Sequence, residues 1–232
     1  MIKKNILITG SSRGIGLELV KHYIKNDYNV IGISSGHSKY KHKKYEHFSL
    51  DLSKPQNIEN FFLNFKSRFG HINHLINNAG IASSSSLLTI SYESIQNVFS
   101  VNTISAIENI KFFSRHMIKE KYGRIVNITT TATEMNTQGQ SAYIASKKAL
   151  EFFSVGACSE LSEYGITINN VSVSFFESDL NKKIQSKQKN TIKTKQKIKR
   201  ICKAEDITNA VDFLLSEKSS FITGQTIKLA GF

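Results

Sequence analysis

The sequence predicts an α/β fold in which a doubly wound parallel sheet of about seven strands carries helices on both faces. Three observations lead to it. Short β-branched runs alternate with longer amphipathic stretches, the rhythm of repeated βαβ units. Seven such runs can be counted, enough for a doubly wound sheet. The first of them passes into the next helical stretch through a glycine-rich turn.

The strands are expected at Asn5 to Thr9, Asn29 to Ser34, His47 to Asp51, His74 to Asn77, Gly123 to Thr129, Thr167 to Val173 and Thr226 to Leu229. Between them, apolar residues at helical spacing place helices near Gly14 to Asn26, Pro55 to Phe69, Tyr92 to Lys119, Tyr143 to Tyr164 and Glu205 to Ser216. Gly70, Gly123 and Gly165 stand at or just beyond the ends of three of these, where a helix C-terminus favours glycine. No internal repeat or boundary divides the 232 residues, so a single domain spanning 1–232 is expected.

Composition narrows the class. No stretch holds the 18 or more apolar residues that span a bilayer, and the apolar run behind Met1-Ile2-Lys3-Lys4 breaks at Thr9-Gly10, too early for a signal peptide. A soluble cytoplasmic protein with no membrane partner is expected. Cys158 and Cys202 lie far apart and away from metal-ligand spacings, so free thiols and no metal site are expected. A formal net charge of +13 favours acidic or phosphorylated partners without choosing among them.

The first turn reads Thr9-Gly10-Ser11-Ser12-Arg13-Gly14-Ile15-Gly16. Glycine there permits positive φ and close backbone approach, and the exposed N–H groups of the following helix favour a pyrophosphate. The spacing Gly-x-x-x-Gly-x-Gly differs from the common dinucleotide fingerprint. Together with Asn77-Asn78-Ala79-Gly80, Asn102 and Tyr143-Ile144-Ala145-Ser146-Lys147 in that order, it resembles the short-chain dehydrogenase/reductase family over almost the whole chain. That resemblance implies a Rossmann-type fold and a nicotinamide cofactor.

Tyr143 and Lys147 are four residues apart and share a helix face. A free tyrosine ionises near pH 10 and a neighbouring ammonium lowers that value, so Tyr143 is expected to exchange a proton with a carbonyl or alcohol. By resemblance, Lys147 also holds the nicotinamide ribose, Asn102 a water behind the lysine, and Thr130 the substrate carbonyl in place of the usual serine. Threonine keeps the donor oxygen but adds a methyl group and a stiffer χ1. Thr131, one residue on, is expected to face the other way.

The resemblance also assigns cofactor contacts to Gly10, Ser12, Arg13, Gly14, Ile15 and Gly16, to the pair Asp51-Leu52 on the adenine, to Asn78, Ala79 and Gly80 on the ribose side, and to Ser178 near the carboxamide. The second strand ends Ile33-Ser34-Ser35-Gly36-His37 without the carboxylate that would bind the NAD ribose diol. Arg13 stands where NADP-preferring relatives carry a basic residue, and Ser35, His37 and Lys39 add donors. NADP(H) is therefore expected over NAD(H).

Two segments depart from the family pattern. Val173-Ser174 replaces Pro-Gly after the sixth strand, and the substrate-lid position, about 179–200, is lysine-rich. Nine of the residues from Lys182 to Arg200 are Lys or Arg, with little apolar periodicity, so a solvated, mobile insertion is expected. It suits a phosphorylated or carrier-linked substrate, and nucleic acid is disfavoured because no aromatic residues interleave the lysines.

Gly123-Arg124-Ile125-Val126, Phe175-Phe176-Glu177-Ser178-Asp179 and Phe221-Ile222-Thr223-Gly224-Gln225 resemble the 3-oxoacyl-[acyl-carrier-protein] reductases. The expected function is therefore an NADP(H)-dependent reduction of a carbonyl to an alcohol, with 3-oxoacyl thioesters as candidate substrates. The family also implies a homodimer or homotetramer. The rival reading is a catalytically impaired nucleotide-binding protein with a regulatory or assembly role, prompted by Thr130 and the missing Pro-Gly.

Overall fold

The computed structural model describes residues 5–135, 137–176 and 194–231. Seven strands, β1 Asn5–Thr9, β2 Asn29–Ser34, β3 Tyr45–Ser49, β4 His74–Asn77, β5 Gly123–Thr130, β6 Ile166–Val173 and β7 Thr226–Lys228, form one sheet in the order β3-β2-β1-β4-β5-β6-β7. Every neighbouring pair is parallel. The strand order reverses between β1 and β4, which opens a crevice beyond their carboxyl ends.

The strands alternate which core they feed. Ile6 and Ile8 of β1 pack with Leu19, Val20 and Tyr23 of helix α1 (Gly14–Lys25) and with Val211 and Leu214 of α7 (Ala204–Leu215). Leu7 between them packs on the other face, with Phe62 and Phe65 of α2 (Pro55–Phe69) and Phe113 and Met117 of α4 (Ser105–Glu120). The period of two thus gives the sheet two cores.

The expected long helix from Tyr92 to Lys119 is interrupted. It comprises α3 (Tyr92–Phe99), a π turn over Ser100–Ile104 and α4. A short helix α5 (Ala132–Met135) follows β5, and α6 runs from Ser141 to Leu161. Strand β3 ends at Ser49, two residues before its expected end. Asp51 Oδ1 accepts from Ser53 N at 3.0 Å and Ser53 Oγ at 2.7 Å, which turns the chain toward α2.

Gly70 and Gly165 adopt φ of +70° and +73° as expected of helix ends, but Gly123 does not. After α4 the left-handed position is Lys121, φ +51°. Gly123 is required by packing instead, since an added Cβ would lie 2.5 Å from Met117 Sδ.

A ladder of buried polar side chains crosses the sheet at one level. Asn109 of α4 donates to Asn77 Oδ1 at 3.0 Å, Asn77 to Asn127 Oδ1 at 2.9 Å, and Asn127 to Ser154 Oγ of α6 at 2.9 Å and Asn170 Oδ1 at 3.2 Å. Ser154 donates to the same Asn170 oxygen at 2.8 Å, and Asn170 Nδ2 to Thr226 Oγ1 at 3.1 Å. Asn77, Asn127, Asn170 and Thr226 are register partners across β4 to β7. Replacing Asn127 by Ala takes the acceptor from the buried Asn77 amide and removes one partner each from Ser154 and Asn170. The variant is expected to lose about 2–4 kcal/mol in urea unfolding, and a loss below 1 kcal/mol would show the ladder to be dispensable.

Candidate active site

The glycine turn is built by close approach. Gly10 has φ +67°, and a Cβ there would lie 2.8 Å from Asn78 Nδ2 and 2.9 Å from Ala79 Cα. A Cβ on Gly16 would lie 2.1 Å from the Gly10 carbonyl oxygen. Gly14 also has positive φ, +56°. Arg13, at the N-cap of α1, makes no side-chain cap, and the first turn carries no acidic residue. Backbone N–H groups are thus presented in a cradle that side chains do not fill, which suits a pyrophosphate.

Asn78 serves this turn with its side chain, donating to Thr9 O at 2.9 Å and Gly10 O at 3.3 Å, while Thr9 Oγ1 accepts from the N–H groups of Asn78 and Ala79, both at 3.0 Å. Ser12 is half-buried at the turn and Ile15 packs against the α1-side core. At the neighbouring end of β2, Ser34 Oγ contacts His47 Nε2 at 2.7 Å and donates to Gly36 O at 2.9 Å. Ser35, His37, Lys39 and Arg13 are exposed. Burial and the nearby His37 lower the His47 pKa.

Asp51 has its carboxylate on Ser53, whose hydrogen bonds lower its pKa. The Leu52 side chain is buried in the α2-side core. Ser178 lies outside the described residues, as does 179–193 of the expected lid.

At the strand ends of β4 and β5 three elements converge. Lys147 of α6 is 4 % exposed and donates from Nζ to Ile128 O at 2.9 Å. A Cβ on Gly80 would lie 3.2 Å from that Nζ, so glycine makes room for the ammonium. Burial pushes the Lys147 pKa down to about 8, opposed by the charge of Glu151. Tyr143 stands near the Thr130 hydroxyl, which acts on its phenol and whose Oγ1 accepts from Ala132 N at 3.2 Å. The Tyr143 phenol is raised by burial, with the Thr130 hydroxyl acting the other way. The expected lowering by the Lys147 ammonium is not what dominates, because that ammonium is turned onto the Ile128 carbonyl.

Asn102 is buried in the π turn, where its Oδ1 accepts from Ile81 N at 2.8 Å and its Nδ2 donates to Ile81 O at 3.0 Å and Ser146 Oγ at 2.9 Å. Ser146 in turn donates to Tyr143 O at 2.7 Å. Asn102 therefore links the loop after Gly80 to the helix bearing Tyr143 and Lys147. Thr131 is fully buried just past β5, with no hydrogen-bond partner for its hydroxyl among the described residues.

Over 194–200 the expected solvated segment is exposed at every residue but Gln196, and it is tied to the rest of the fold. Gln196 is buried, accepts from Ser174 Oγ at 2.7 Å and donates to Ile198 O at 2.6 Å. Lys197 N and Ile198 N donate to Ala230 O at 3.1 and 3.0 Å, and Arg200 forms a two-pronged ion pair with Asp206 of α7 at 2.5 and 2.7 Å. Backbone pairing and one buried amide hold these residues despite their charge. Ser174, standing where the family carries glycine, supplies the hook.

The model of the short chain dehydrogenase family matches residues 4–189. The chain belongs to the short-chain dehydrogenase/reductase family. It is 37 % identical over 235 residues to the 3-oxoacyl-[acyl-carrier-protein] reductase FabG of Buchnera aphidicola from Schizaphis graminum, covering 99 % of this chain and 96 % of that protein. The reductase of the same description in Escherichia coli K12 is 31 % identical, at 98 % and 96 % coverage. Among solved structures, 4-hydroxyisoleucine dehydrogenase complexed with NADH superposes with a TM-score of 0.93 at 24 % identity, covering 98 % of both chains. The protein ElxO with NADP bound superposes at 0.87 and 26 % identity, covering 98 % of this chain and 97 % of its own.

The sequence did not point to Ser146, Glu151, Gln196 or the π turn. Of these Glu151 carried a usable signal, since it lies one further helical step of four from Lys147. The glycine geometry predicts that Gly16→Ala forces the α1 start away from Gly10. Its melting temperature should fall, by about 1–3 kcal/mol in stability, and dinucleotide affinity in a fluorescence titration should drop at least about tenfold. Unchanged melting and affinity would refute the close approach.

Proposed function

We propose that the chain is an NADP(H)-dependent oxidoreductase that reduces a carbonyl to an alcohol, with 3-oxoacyl thioesters as its candidate substrates. The observation that carries this reading is the buried Lys147, held on Ile128 O at the carboxyl end of β5, with Tyr143 one helical turn before it on α6 and Thr130 at the end of the same strand. The reductases of Buchnera and E. coli supply the substrate class by similarity.

In this reading Gly10, Ser12, Arg13, Gly14, Ile15 and Gly16 hold the pyrophosphate, Arg13 and Ser35 the 2′-phosphate, and Asp51 and Leu52 the adenine side. Asn78, Ala79, Gly80 and Lys147 line the ribose, and Ser178 serves the carboxamide. When bound, the nicotinamide supplies hydride to the carbonyl carbon. Tyr143 delivers its proton to the carbonyl oxygen, and Thr130 donates a hydrogen bond to the same oxygen. Lys147 carries its ammonium below about pH 8 and favours the phenolate that proton transfer leaves behind. Asn102 holds Ser146 and the loop after Gly80 in place and belongs to the route that replaces the proton.

The choice of NADP(H) rests on the absence of a carboxylate at the end of β2 and on the exposed Arg13. The lysine-rich segment and the overall basic charge suit an acidic carrier or a phosphorylated substrate. A homodimer or homotetramer is part of the same proposal.

NADPH oxidation followed by absorbance against β-ketoacyl thioesters, sugars and small ketones tests the reading. Turnover should be found with a thioester, and Tyr143→Phe should lower kcat about 10²–10⁴-fold while NADPH still binds. Cofactor binding without turnover anywhere in the panel would favour the regulatory or assembly reading. Arg13→Glu should weaken NADPH about tenfold or more while leaving NADH little changed. Equal losses for both cofactors would remove Arg13 from the 2′-phosphate site.

A further inference from the structure

The row of residues that α6 turns toward the sheet does not stop at Lys147. Tyr143, Lys147 and Glu151 follow one another at intervals of four, on one helix face. Each faces a different one of three consecutive residues at the end of β5. Tyr143 stands near the Thr130 hydroxyl, Lys147 Nζ donates to Ile128 O at 2.9 Å, and Glu151 Oε1 accepts from Thr129 Oγ1 at 2.7 Å.

Glu151 is 6 % exposed, an unusual position for a carboxylate unless charge surrounds it. Its Oε2 accepts from Lys148 Nζ at 2.8 Å. Lys148 also reaches Glu134 Oε1 of α5 at 3.2 Å, and Lys228 of β7 meets the same oxygen at 2.9 Å. Signs therefore alternate from Lys147 through Glu151, Lys148 and Glu134 to Lys228. From β6, Ser172 pairs in register with Thr129 and its hydroxyl is buried without a hydrogen-bond partner among the described residues. Facing Lys147 itself are Gly80, with Asn102 of the π turn beside it.

We propose that Glu151 is a positioning residue of this site, whose buried carboxylate, one helical turn behind Lys147, is the counter-charge of that ammonium and clamps the Thr130-bearing end of β5 against α6 through Thr129. The proposal rests on the oxidoreductase reading for its effect on turnover, but not for its effect on Lys147.

The sign follows from the two opposing causes. Burial lowers the Lys147 pKa to about 8 and Glu151 raises it, so removing the Glu151 charge moves Lys147 lower still. The alkaline limb of kcat for carbonyl reduction should then shift to lower pH.

Glu151→Gln separates charge from geometry, because Gln retains an acceptor for Thr129. The alkaline limb should move down by about one pH unit, a modest value for loss of a partly neutralised opposite charge nearby. Glu151→Asp, which restores the charge, should recover most of the shift. A structural role alone would not follow charge in this way. Carbon-13 NMR of lysine-labelled protein, with the Lys147 signal assigned through Lys147→Arg, reads the same midpoint without turnover. Lys148→Gln, at a half-exposed side chain, removes the counter-ion of Glu151 and should move that midpoint upward, which supplies a test if Glu151→Gln does not fold. Unchanged Lys147 midpoints in the folded variants would overturn the proposal. Wild-type protein without turnover would instead overturn the oxidoreductase reading, with the NMR midpoints still deciding the role of Glu151.

Discussion

The height of α6 on the sheet is the constraint on which the rest of the site depends. It is set by the Asn127, Ser154 and Asn170 triangle, where one buried hydroxyl bonds amides from two adjacent strands. An apolar contact at this level would tolerate sliding, because packing is nearly non-directional. A buried amide does not, since each misplaced donor or acceptor loses its partner away from water. Register along β4 to β7 and the seat of α6 are therefore decided together. Ser154, Glu151, Lys147 and Tyr143 lie along the same inward face, so the triangle at one end determines where the tyrosine meets Thr130 at the other.

The glycines answer a different demand. Around Gly10 and Gly16 the backbone of one turn touches both itself and the Asn78 amide, and Gly80 leaves room for an ammonium. Their side chains, a hydrogen atom each, add no packing of their own. They allow main-chain groups and a charged side chain to come nearer than a methyl group would permit. The departures from the family pattern are accommodated in a similar local way. Ser174 takes up Gln196, and the chain beyond it is fastened to 230–231 by backbone pairing rather than by a rigid Pro-Gly turn.

What was legible in the sequence was what a fixed period or a forced backbone makes visible. The helical period places Tyr143 and Lys147 on one face, and a strand-to-helix turn with three glycines has few uses. Strand β3 was misplaced by two residues because an edge strand with the pattern Tyr-Glu-His-Phe-Ser has weak apolar alternation. The π turn leaves no mark in the sequence, since apolar spacing averages over one extra residue in a long helix. Gly123 looked like a helix stop, yet Lys121 takes that conformation and the glycine lies under Met117. Glu151 is not legible in the sequence as a buried residue because a glutamate in a helix usually faces water. Its burial depends on Thr129 and Lys148, which only the fold brings together.

The electrostatic arrangement has a consequence for the direction of the proposed chemistry. Tyr143 is held as a phenol by burial, and the Lys147 ammonium is directed onto the Ile128 carbonyl. Such a pair stores the proton on the group that must give it. A lysine at about 8 remains charged at neutral pH with little to spare, so its charge depends on what lies behind it in the low-dielectric layer between α6 and β5. Exposed lysines such as Lys195, Lys197 and Lys199 act through solvent and are screened within about a Debye length. The overall charge of +13 and the charge of Lys147 are thus physically separate; in the proposed reaction the first would act on the approach of an acidic ligand and the second on the proton at Tyr143.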